Sequence, residues 1–510
     1  MYAFNMDVYS HHFVLSGFAR ESQRIITEYA REFIEYQIVR SWSGDISKEQ
    51  VRIFAASNKE RTYYRFHINA LPGFISFLNT RGYTDKHYTR TDHPLYIPVS
   101  TELKLLPHAV ARENQVPLIE HLCKPITSVV LTLQTGGGKT FCSLEALSKA
   151  NVRTAVVIRP MYIKRWIDAL MSPKERMLEL VTEDLVIVQG TKPLINVIAA
   201  ALEGTLTAKI IIISNATLRL FYSHFSETGD TTMYGIHPVD LYKTLGVGIR
   251  LIDEVHQDFH FNFLQDLYSH VPKTISLSAT LVSDSPFINR MYKCIFPPEA
   301  RTNPGEHTKY IAVKALTYSL ANRESVKYMR RGRQSYSHID FEQSIMRSGK
   351  MTKNYCNMID VALKQYYFPD VQTGQKAIVY AATIDMCNIV KDDLRKRYPS
   401  LTINKYTAED SYENLMESDI CVSTIGSSGT AVDIPNLKYC LSTTSIGKTE
   451  TNLQVMGRLR QSKQWPDMTP VFSYFVCLDI DKQVSYHTKK ITKFKGKVLS
   501  HQTVELDMKL

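Results

Sequence analysis

The sequence lacks any long apolar run. None of its 510 residues falls in an uninterrupted apolar stretch of about 18 residues, the length at which a membrane-spanning helix becomes the expected structure. The N-terminus also lacks the basic start and apolar centre of a signal peptide. We therefore expect a soluble protein of the cytoplasm, without a membrane partner.

Cysteine motifs for metal binding or redox chemistry are also missing. The eight cysteines include no CxxC pair, which disfavours a zinc ribbon or a thiol–disulfide centre. Several lie in apolar segments, such as Cys421 between Ile420 and Val422, which is typical of a buried, reduced thiol. No repeat of roughly 20 to 50 residues and no low-complexity tract is present, so a solenoid or a disordered chain is not indicated.

The composition is that of an ordinary globular protein with an excess of positive charge. Apolar residues make up 44% of the chain and charged residues 22%. A chain of 510 residues is too long for one hydrophobic core, so two or three domains are expected. The formal net charge is +11. Because clustered lysine and arginine displace counterions from phosphates, this excess favours a polyanionic partner.

Short apolar, β-branched runs recur in two parts of the chain. The first series occupies 128–133, 154–158, 185–188, 210–214, 249–253 and 274–279. The second occupies 310–316, 377–382, 401–406, 420–424, 439–444 and 472–480. Such runs, alternating with helix-length segments, are typical of parallel strands that are buried on both faces in α/β domains.

These patterns predict three domains. Residues 1–105, rich in Tyr, Phe and His, are expected to form a small α+β accessory domain that binds substrate. Residues 106–298 and 306–510 are expected to form two α/β domains, the second with a basic C-terminal extension. The Pro-rich segment 296–305 is predicted to be the linker between them.

A glycine-rich segment follows the first run of the first series. LQTGGGKT (133–140) precedes a helical-looking segment, which is the strand-loop-helix context of a phosphate-binding loop. Lys139 is expected to reach the β and γ phosphates of ATP, and Thr140 to bind Mg²⁺. Leu133 stands where the general GxxxxGK(S/T) pattern has its first glycine. The backbone around the phosphates would be supplied by Thr135, Gly136, Gly137 and Gly138.

Two acidic residues end another run of the first series. Asp253 and Glu254 follow IRLI (249–252), and a carboxylate at the tip of a parallel strand lies beside the phosphate loop in nucleotide hydrolases. We assign Asp253 to Mg²⁺ and Glu254 to the general base that deprotonates the attacking water. His256 and His260 stand four residues apart, but no third ligand pattern accompanies them, so zinc is not indicated.

Four motifs appear in the order that is found in superfamily 2 helicases, and the chain resembles that family across residues 112–461. The motifs are TGGGKT (135–140), DEVH (253–256), SAT (278–280) and QVMGR (454–458). The resemblance implies an α/β fold of two tandem RecA-like parallel-sheet motor domains, preceded here by the small α+β domain. It also implies an enzyme that hydrolyses ATP with Mg²⁺ and acts on nucleic acid.

The resemblance assigns roles to single residues as well. Gln115, in RENQ, matches the glutamine that reads adenine in many relatives. Asp433 lies in TIGSSGTAVDIP (424–435), which looks like a motif that contacts nucleotide and nucleic acid, although Ala431 stands where many relatives have glycine and Gly429 is nearby. The coupling of hydrolysis to movement is assigned to His256, Ser278 and Thr280.

QVMGRLRQ (454–461) resembles the arginine-finger motif QxxGRxxR, with one departure. Gln454 and Arg458 match, whereas Gln461 occupies the place of the last arginine and Arg460 lies one residue earlier. An arginine at the γ-phosphate neutralises charge that develops during hydrolysis. Either Arg460 serves through a local shift, or Arg458 carries more of the role.

Strand-end loops of both α/β domains resemble the track that this family forms along the sugar-phosphate backbone, where contacts are largely independent of sequence. The candidates are Arg159, Lys164, Thr217, Thr383 and Thr424. Two basic clusters, KYMRRGR (327–333) and KKITKFKGK (489–497), are further candidates for contact with nucleic acid. Tyr486 and Phe494 could stack on bases near the second cluster.

Among superfamily 2 members, the layout is most similar to UvsW-type phage recombination helicases, by size, motif order and the segment 407–426. That resemblance implies unwinding or branch migration of forked and four-way DNA, in recombination, replication or repair, in the host cytoplasm, with recombination or replication proteins as partners. Three alternatives stay open: an RNA helicase, a double-strand DNA translocase that does not separate strands, and a nucleic-acid binder with an inactive ATP site.

Overall fold

A computed structural model describes residues 3–40, 46–133, 136–302, 309–329, 335–407, 410–428, 434–462 and 464–510. The chain forms two compact units, Met1–Pro304 and Gly305–Leu510. Within the described ranges, no helix is both long enough and apolar enough to cross a membrane.

The first unit begins with a mixed α+β region. Its strands are β1 (Phe4–Val8), β2 (His12–Ser16), β3 (Ile34–Arg40), β4 (Ile46–Ile53), β5 (Ala56–Ser57), β6 (Tyr63–His67) and β7 (Tyr88–Asp92), and its helices are α1 (Arg20–Ala30) and α2 (Leu71–Asn79). Five strands form a sheet of order β5-β6-β2-β1-β7, in which only β1 and β7 run parallel. β3 and β4 form a separate antiparallel ribbon.

The rest of the first unit is a parallel α/β sheet. Its strands are β8 (Ser128–Thr132), β9 (Thr154–Ile158), β10 (Leu185–Val188), β11 (Ile210–Ser214), β12 (Ile249–Ile252) and β13 (Lys273–Ser278). Its helices are α3 (Val116–Leu122), α4 (Lys139–Ala150), α5 (Ile163–Met171), α6 (Thr191–Leu202), α7 (Asn215–Thr228), α8 (Leu241–Thr244), α9 (Phe259–Asp266) and α10 (Pro286–Ile295). The order is β10-β11-β9-β12-β13-β8, and every residue of β9 and β11 is buried.

The second unit contains another parallel sheet, of order β16-β17-β15-β18-β19-β14-β20. Its strands are β14 (Ala312–Ser319), β15 (Lys376–Ala381), β16 (Ile403–Tyr406), β17 (Ile420–Thr424), β18 (Leu437–Ser442), β19 (Val471–Cys477) and β20 (Ser500–Lys509). Its helices are α11 (His338–Met346), α12 (Gly349–Tyr366), α13 (Ile384–Arg397), α14 (Tyr412–Met416), α15 (Ile425–Ser428), α16 (Thr449–Met456) and α17 (Asp481–Phe494). The predicted fold class, a small α+β region followed by two RecA-like parallel-sheet domains, is confirmed.

The mixed region and the parallel sheet of the first unit share one core. Phe13 and Phe66 belong to the same buried cluster as Val157 and Ile213. The segment predicted as a linker also begins inside this unit: residues 296–302 include the buried Phe296 and Thr302, and the backbone N–H of Thr132 donates to Thr302 Oγ1 at 3.0 Å. The linker prediction is therefore wrong for 296–302, and the chain divides after Pro304.

A buried polar network crosses the same junction. Arg250 of β12 is fully buried and forms an ion pair with Asp266 of α9. His67 of β6 lies 3.4 Å from the other oxygen of Asp266, and His11 Nε2 lies 2.8 Å from Thr274 Oγ1. The contacts of His67 and His11 are the ones that cross the junction, and because separating a buried charged pair such as His67 and Asp266 costs several kcal/mol, they fix the mixed region to the parallel sheet.

Candidate nucleotide-binding site

The loop between β8 and α4 has the geometry that its glycines imply. Gly136 and Gly138 have φ of 86° and 91°, in the left-handed region where residues with a Cβ are rarely found. A Cβ on Gly138 would lie 2.2 Å from Gln115 Nε2, so this position also needs glycine for space. Lys139 begins the 12-residue helix α4, whose N-terminal N–H groups and dipole favour an anion.

Leu133 replaces the first glycine of the usual loop pattern, and the structure shows how it is accommodated. Its backbone N–H donates to Ser278 O at 3.0 Å, which fixes the start of the loop to the end of β13. A Cβ on Gly137 would lie 2.5 Å from Leu133 Cγ. The leucine side chain therefore fills the space that a side chain at position 137 would need, and the middle glycine of the run compensates for the departure.

Lys139 and the predicted general base lie close together. Lys139 Nζ is 3.8 Å from Glu254 Oε1, and the two side chains are 10% and 16% exposed. Nζ also donates to Leu133 O at 3.2 Å. Thr140 lies in the first turn of α4 and is partly buried. Thr135 lies outside the described residues.

The two acids at the end of β12 differ in their surroundings. Asp253 Oδ2 accepts from Trp166 Nε1 at 2.9 Å, and Oδ1 accepts from the backbone N–H of Glu254 at 2.9 Å. Burial raises the pKa of Asp253, the charge of Glu254 raises it further, and the charge of Lys139 opposes both. Glu254 has a φ of 48°, and its Oε2 is buried without a hydrogen bond from the described residues. Trp166 was not predicted to take part in the site.

The three residues predicted to couple hydrolysis to movement are brought together. His256 Nδ1 lies 2.8 Å from Ser278 Oγ and 3.5 Å from Glu254 Oε2. Ser278 Oγ donates to Thr280 O at 2.7 Å, so the hydrogen between serine and histidine belongs to the imidazole. Burial and, to a lesser extent, the charge of Lys139 lower the pKa of His256 to about 3, which keeps the ring neutral.

The second histidine of the pair makes a different contact. His260 Nε2 lies 2.6 Å from Ile53 O, at the end of β4. Within the part of the chain that the structure describes, no three His, Cys, Asp or Glu side chains converge as metal ligands would.

Gln115 lies against the phosphate loop. Its side chain is almost fully buried, at 3% exposure. Nε2 donates to Gly137 O at 3.1 Å, and Oε1 accepts from the backbone N–H of Arg112 at 3.0 Å. The structure thus places the predicted adenine-reading residue in direct contact with the loop.

The predicted track residues of the first unit differ in exposure and in their hydrogen-bond partners. Arg159 forms a two-point ion pair with Asp258, at 2.7 and 2.9 Å, so its charge is balanced within the unit. Lys164 is exposed on α5. The prediction for Thr217 is wrong: it is 2% exposed, and Oγ1 accepts from the backbone N–H of Gly190 at 2.7 Å. Its hydroxyl stabilises the start of α6 and is not presented to a ligand.

In the second unit, Thr383 is the N-cap of α13, and its hydroxyl donates to Glu342 Oε2 at 2.9 Å. Glu342, which the motifs did not indicate, is fully buried and also accepts from the backbone N–H groups of Ala382 and Thr383 at 2.8 and 2.9 Å. Thr424 ends β17, where Oγ1 lies 2.8 Å from Ser427 Oγ.

The candidate finger arginines lie just beyond α16, which contains Gln454. Arg458 is 4% exposed, and its charge opposes the effect of burial, which raises the pKa of Cys440 on β18. Arg460 is more exposed. Its charge lowers the pKa of Tyr310, against the larger upward effect of burial. Asp433, Gly429 and Ala431 lie outside the described residues.

The C-terminal basic cluster does not present a continuous face. Lys490 is 3% exposed, and its Nζ lies 4.5 Å from the centroid of the Tyr474 ring. Burial lowers the pKa of Lys490 to about 7. Phe494 is fully buried, so the prediction that it stacks on a base is wrong. Tyr486 packs against Gly447. Of the other basic cluster, residues 330–333 lie outside the described ranges.

Neither the known protein-family models nor the curated proteins contain a match to this sequence. Solved structures do match. T4 UvsW is 12% identical over 99% of this chain and 100% of its own, with a TM-score of 0.34. Dbp5 of S. cerevisiae bound to RNA and ADP BeF3 is 12% identical over 79% of this chain and 94% of its own, with a TM-score of 0.49, and a single-residue variant in the same state gives the same values. Similarities this weak assign neither an activity nor a substrate.

Proposed function

We propose that this chain is an ATP-driven nucleic-acid helicase or translocase. The observation that carries the proposal is the meeting of Lys139 and Glu254, 3.8 Å apart, beside Asp253 at the C-terminal ends of parallel strands. A lysine, a metal-binding carboxylate and a second carboxylate around a glycine loop form the set that a nucleotide hydrolase needs.

The residues fit a bound Mg²⁺–ATP. Gly136 and Gly138 take the left-handed backbone conformation that a phosphate-binding loop uses, α4 directs its N–H groups to that loop, and Glu254 Oε2 is a buried oxygen without a hydrogen bond from the described residues. Lys139 would bind the β and γ phosphates, while Thr140 and Asp253 would hold the metal. When bound, Mg²⁺ would polarise the phosphoryl oxygens and neutralise developing charge.

Glu254 is the group that would take the proton of the attacking water. Its strained φ of 48° is the kind of backbone cost that persists where a side chain must be aimed. Neutral His256 lies 3.5 Å from that carboxylate, and its Nδ1–H is donated to Ser278 Oγ. Through Ser278 it also connects Glu254 to the start of the phosphate loop, because Leu133 N–H bonds to Ser278 O. Protonation changes at Glu254 and loop movement would thus be coupled.

An arginine of the segment 454–461 would have the role of the arginine finger, by the resemblance of that segment to the motif QxxGRxxR. Gln454, Arg458 and Arg460 belong to the motif that this role requires. We assign the role to Arg460, because Arg458 is 4% exposed within its own unit and Arg460 is more accessible.

The substrate that we propose is branched or single-stranded DNA, unwound or branch-migrated during recombination, replication or repair. The support is the order of motifs, the net charge of +11 and the resemblance to UvsW-type helicases. An RNA helicase and a double-strand DNA translocase that does not separate strands are the competing functions, since the motifs do not distinguish the sugar.

ATP hydrolysis with matched DNA and RNA strands tests the proposal. We expect DNA to stimulate turnover; stimulation by RNA alone would contradict the DNA assignment. Glu254→Gln should lower kcat roughly 10²–10⁴-fold, and Lys139→Ala should abolish turnover, whereas Glu175→Gln, at an exposed acid outside the site, should be neutral. Unchanged turnover in both site variants would overturn the site assignment.

Strand displacement from a fork, compared with triplex displacement, then separates a helicase from a translocase. Activity in the triplex assay alone would favour the translocase.

A further inference from the structure

Four arginines converge on one groove of the mixed N-terminal region. Arg20, Arg24 and Arg31 are spaced by four and seven residues along α1 and its C-cap, so they lie on one face of the helix. Arg61 reaches the same place from the turn before β6. All four are exposed, and they line a groove of about 470 Å³, called here the arginine groove. The opposite face of α1 packs into the core.

The positive charge of this groove is not compensated from within. Glu28 is the acidic side chain that lines it, and its Oε1 is 2.6 Å from Arg81 Nη2, outside the lining set. None of the four arginines forms an ion pair with a described residue. Like charges four residues apart on a helix, as at Arg20 and Arg24, destabilise it. A bound polyanion would remove that repulsion.

The turn that supplies Arg61 is held in an unusual conformation. Arg61 has a φ of 53°, which is uncommon for a residue with a side chain. Its backbone N–H donates to Asn58 O at 3.1 Å, and its carbonyl accepts from Gln23 Nε2 of α1 at 3.1 Å. The two bonds fix the turn to the helix that carries the other arginines. Backbone strain that is stabilised in this way is typical of binding sites.

The arginine groove is continuous with a larger cavity of about 660 Å³, which Thr27, Arg31 and Arg61 also line. We call this cavity the aromatic pocket. It is bounded by the β3–β4 ribbon and by residues of α7 and α9, and its wall includes the rings of Tyr36 and Phe261. Tyr36 is 47% exposed on the ribbon, so its ring is accessible to a ligand.

One residue that lines the aromatic pocket has a buried polar atom that accepts no hydrogen bond from the described residues. Gln265 lines the cavity and is fully buried. Its Nε2 donates to Asn262 Oδ1 at 3.3 Å, whereas its Oε1 accepts no hydrogen bond from the described residues. A buried acceptor of this kind normally has a donor. The exocyclic amino group of a nucleobase is a donor of the right type.

We propose that the arginine groove and the aromatic pocket together bind a short single-stranded nucleic-acid segment. The phosphates lie along the arginines, and one unstacked base enters the pocket against Tyr36 and Phe261, with its amino group toward Gln265. Single strands pair a basic groove with aromatic platforms in this way, whereas a paired duplex has no base to offer. The proposal rests on the proposed function for its substrate class and uses none of the nucleotide-site residues.

Equilibrium binding of a short fluorescein-labelled single strand, deoxy or ribo, to the full chain without ATP tests the groove. Arg24→Glu with Arg31→Glu should weaken binding at least tenfold. Because two phosphate-binding side chains are removed, the slope of log K against log salt should fall by about 1.4, at roughly 0.7 per phosphate. Lys86→Glu with Lys174→Glu makes the same charge change at exposed sites elsewhere and should stay near wild type.

An equal weakening in both double variants would show a nonspecific charge effect and overturn the proposal. If the glutamate variant fails to fold by circular dichroism, Arg24→Gln with Arg31→Gln replaces it, with the same direction expected. A stronger response by the deoxy or by the ribo strand identifies the sugar.

A 2-aminopurine base in the same strand tests the aromatic pocket. Stacking should quench its fluorescence in the wild type and in Tyr36→Phe, and Tyr36→Ala should remove the quenching. Equal quenching in all three would overturn the pocket. Glu175→Gln, at an exposed acid outside the groove and the nucleotide site, should leave both readouts unchanged. If wild-type ATP hydrolysis does not respond to any strand, the proposed function fails, while these binding results still decide the groove and pocket.

Discussion

Replacing Gly137 with alanine should disturb the phosphate loop through one neighbour, Leu133. The added Cβ would lie 2.5 Å from Leu133 Cγ, 2.8 Å from Cδ2 and 3.0 Å from Cδ1. Each distance is well below carbon–carbon van der Waals contact. Gly137 is not among the glycines with positive φ, so alanine brings no backbone strain, and the clash is the whole perturbation.

The size of the effect depends on how Leu133 and the loop share the adjustment. The backbone of Leu133 is held by Ser278 O at 3.0 Å, so the clash is relieved by a change of the leucine rotamer or by a shift of the loop at Gly137. Forcing one extra carbon into a packed site costs about 1–3 kcal/mol. If the shift falls on the phosphate-binding conformation, nucleotide affinity should drop by roughly 5- to 150-fold, at tenfold per 1.4 kcal/mol.

Titration with a fluorescent ATP analogue measures this effect as a double-mutant cycle. Leu133→Ala removes all three clashing atoms, so Gly137→Ala with Leu133→Ala should bind much better than Gly137→Ala alone. Gly138→Ala is the contrasting variant, because its strain comes from φ of 91° and from Gln115, and Leu133→Ala should not rescue it. Wild-type affinity in Gly137→Ala, or no rescue, would refute the compensation between the two positions.

Three other substitutions have expected outcomes. Arg460→Ala should lower kcat of ATP hydrolysis by roughly 10³-fold or more with nucleotide affinity retained, and a larger loss of kcat in a folded Arg458→Ala would reverse the assignment. Although burial alone would lower it, Asp266 raises the pKa of His67 to about 9. Protonated His67 therefore contributes on the order of 3 kcal/mol to the free energy of unfolding. This contribution is complete below about pH 6.5 and is lost as the pH rises through 9. Urea unfolding should show this decline in the wild type and not in His67→Gln. Burial lowers the pKa of Lys490 to about 7. The free-energy cost of burying its charge is therefore full at pH 6 and falls as the pH rises. Lys490→Met should stabilise the chain at pH 6 by on the order of 5 kcal/mol and less at pH 9, and an equal gain at both would exclude a buried charge.

The fold class could be predicted because its signals are local. Runs such as 210–214 and 420–424 are continuous and β-branched, which marks strands covered on both faces. β20 was missed because it lies at the sheet edge, where polar and apolar residues mix and few positions are buried. The segment 296–302 was mistaken for a linker because prolines signal a break in the chain, whereas burial of Phe296 depends on contacts distant in sequence.

The candidate site divides in the same way. Lys139, Asp253 and Glu254 could be predicted because their motifs combine residue type with position at strand ends. Trp166 and Glu342 could not be predicted, because their roles depend on hydrogen bonds to residues that are distant in sequence, and motif spacing does not reveal such contacts. Thr217 and Phe494 were misassigned because the sequence alone does not show whether a threonine or a phenylalanine is buried or exposed. Only the packing of α7 and α17 decides between those alternatives.

The strand β12 connects the candidate nucleotide site to the buried network between the mixed region and the parallel sheet. It ends at Asp253 and Glu254, and three residues earlier Arg250 holds Asp266, and through it His67, in a fully buried network. Opening that network would cost several kcal/mol. The mixed region therefore cannot move against the phosphate loop as a cheap step in each ATP cycle.

The arginine groove should then act as a fixed anchor for a strand and not as a moving part. Its affinity for a single strand should be the same with no nucleotide, with ADP and with a non-hydrolysable ATP analogue. In each nucleotide state, the contribution of the groove is the difference in strand-binding free energy between the wild type and the double variant Arg24→Glu with Arg31→Glu. If this difference changes by about 1.4 kcal/mol or more between nucleotide states, which is tenfold in affinity, the network opens during the cycle.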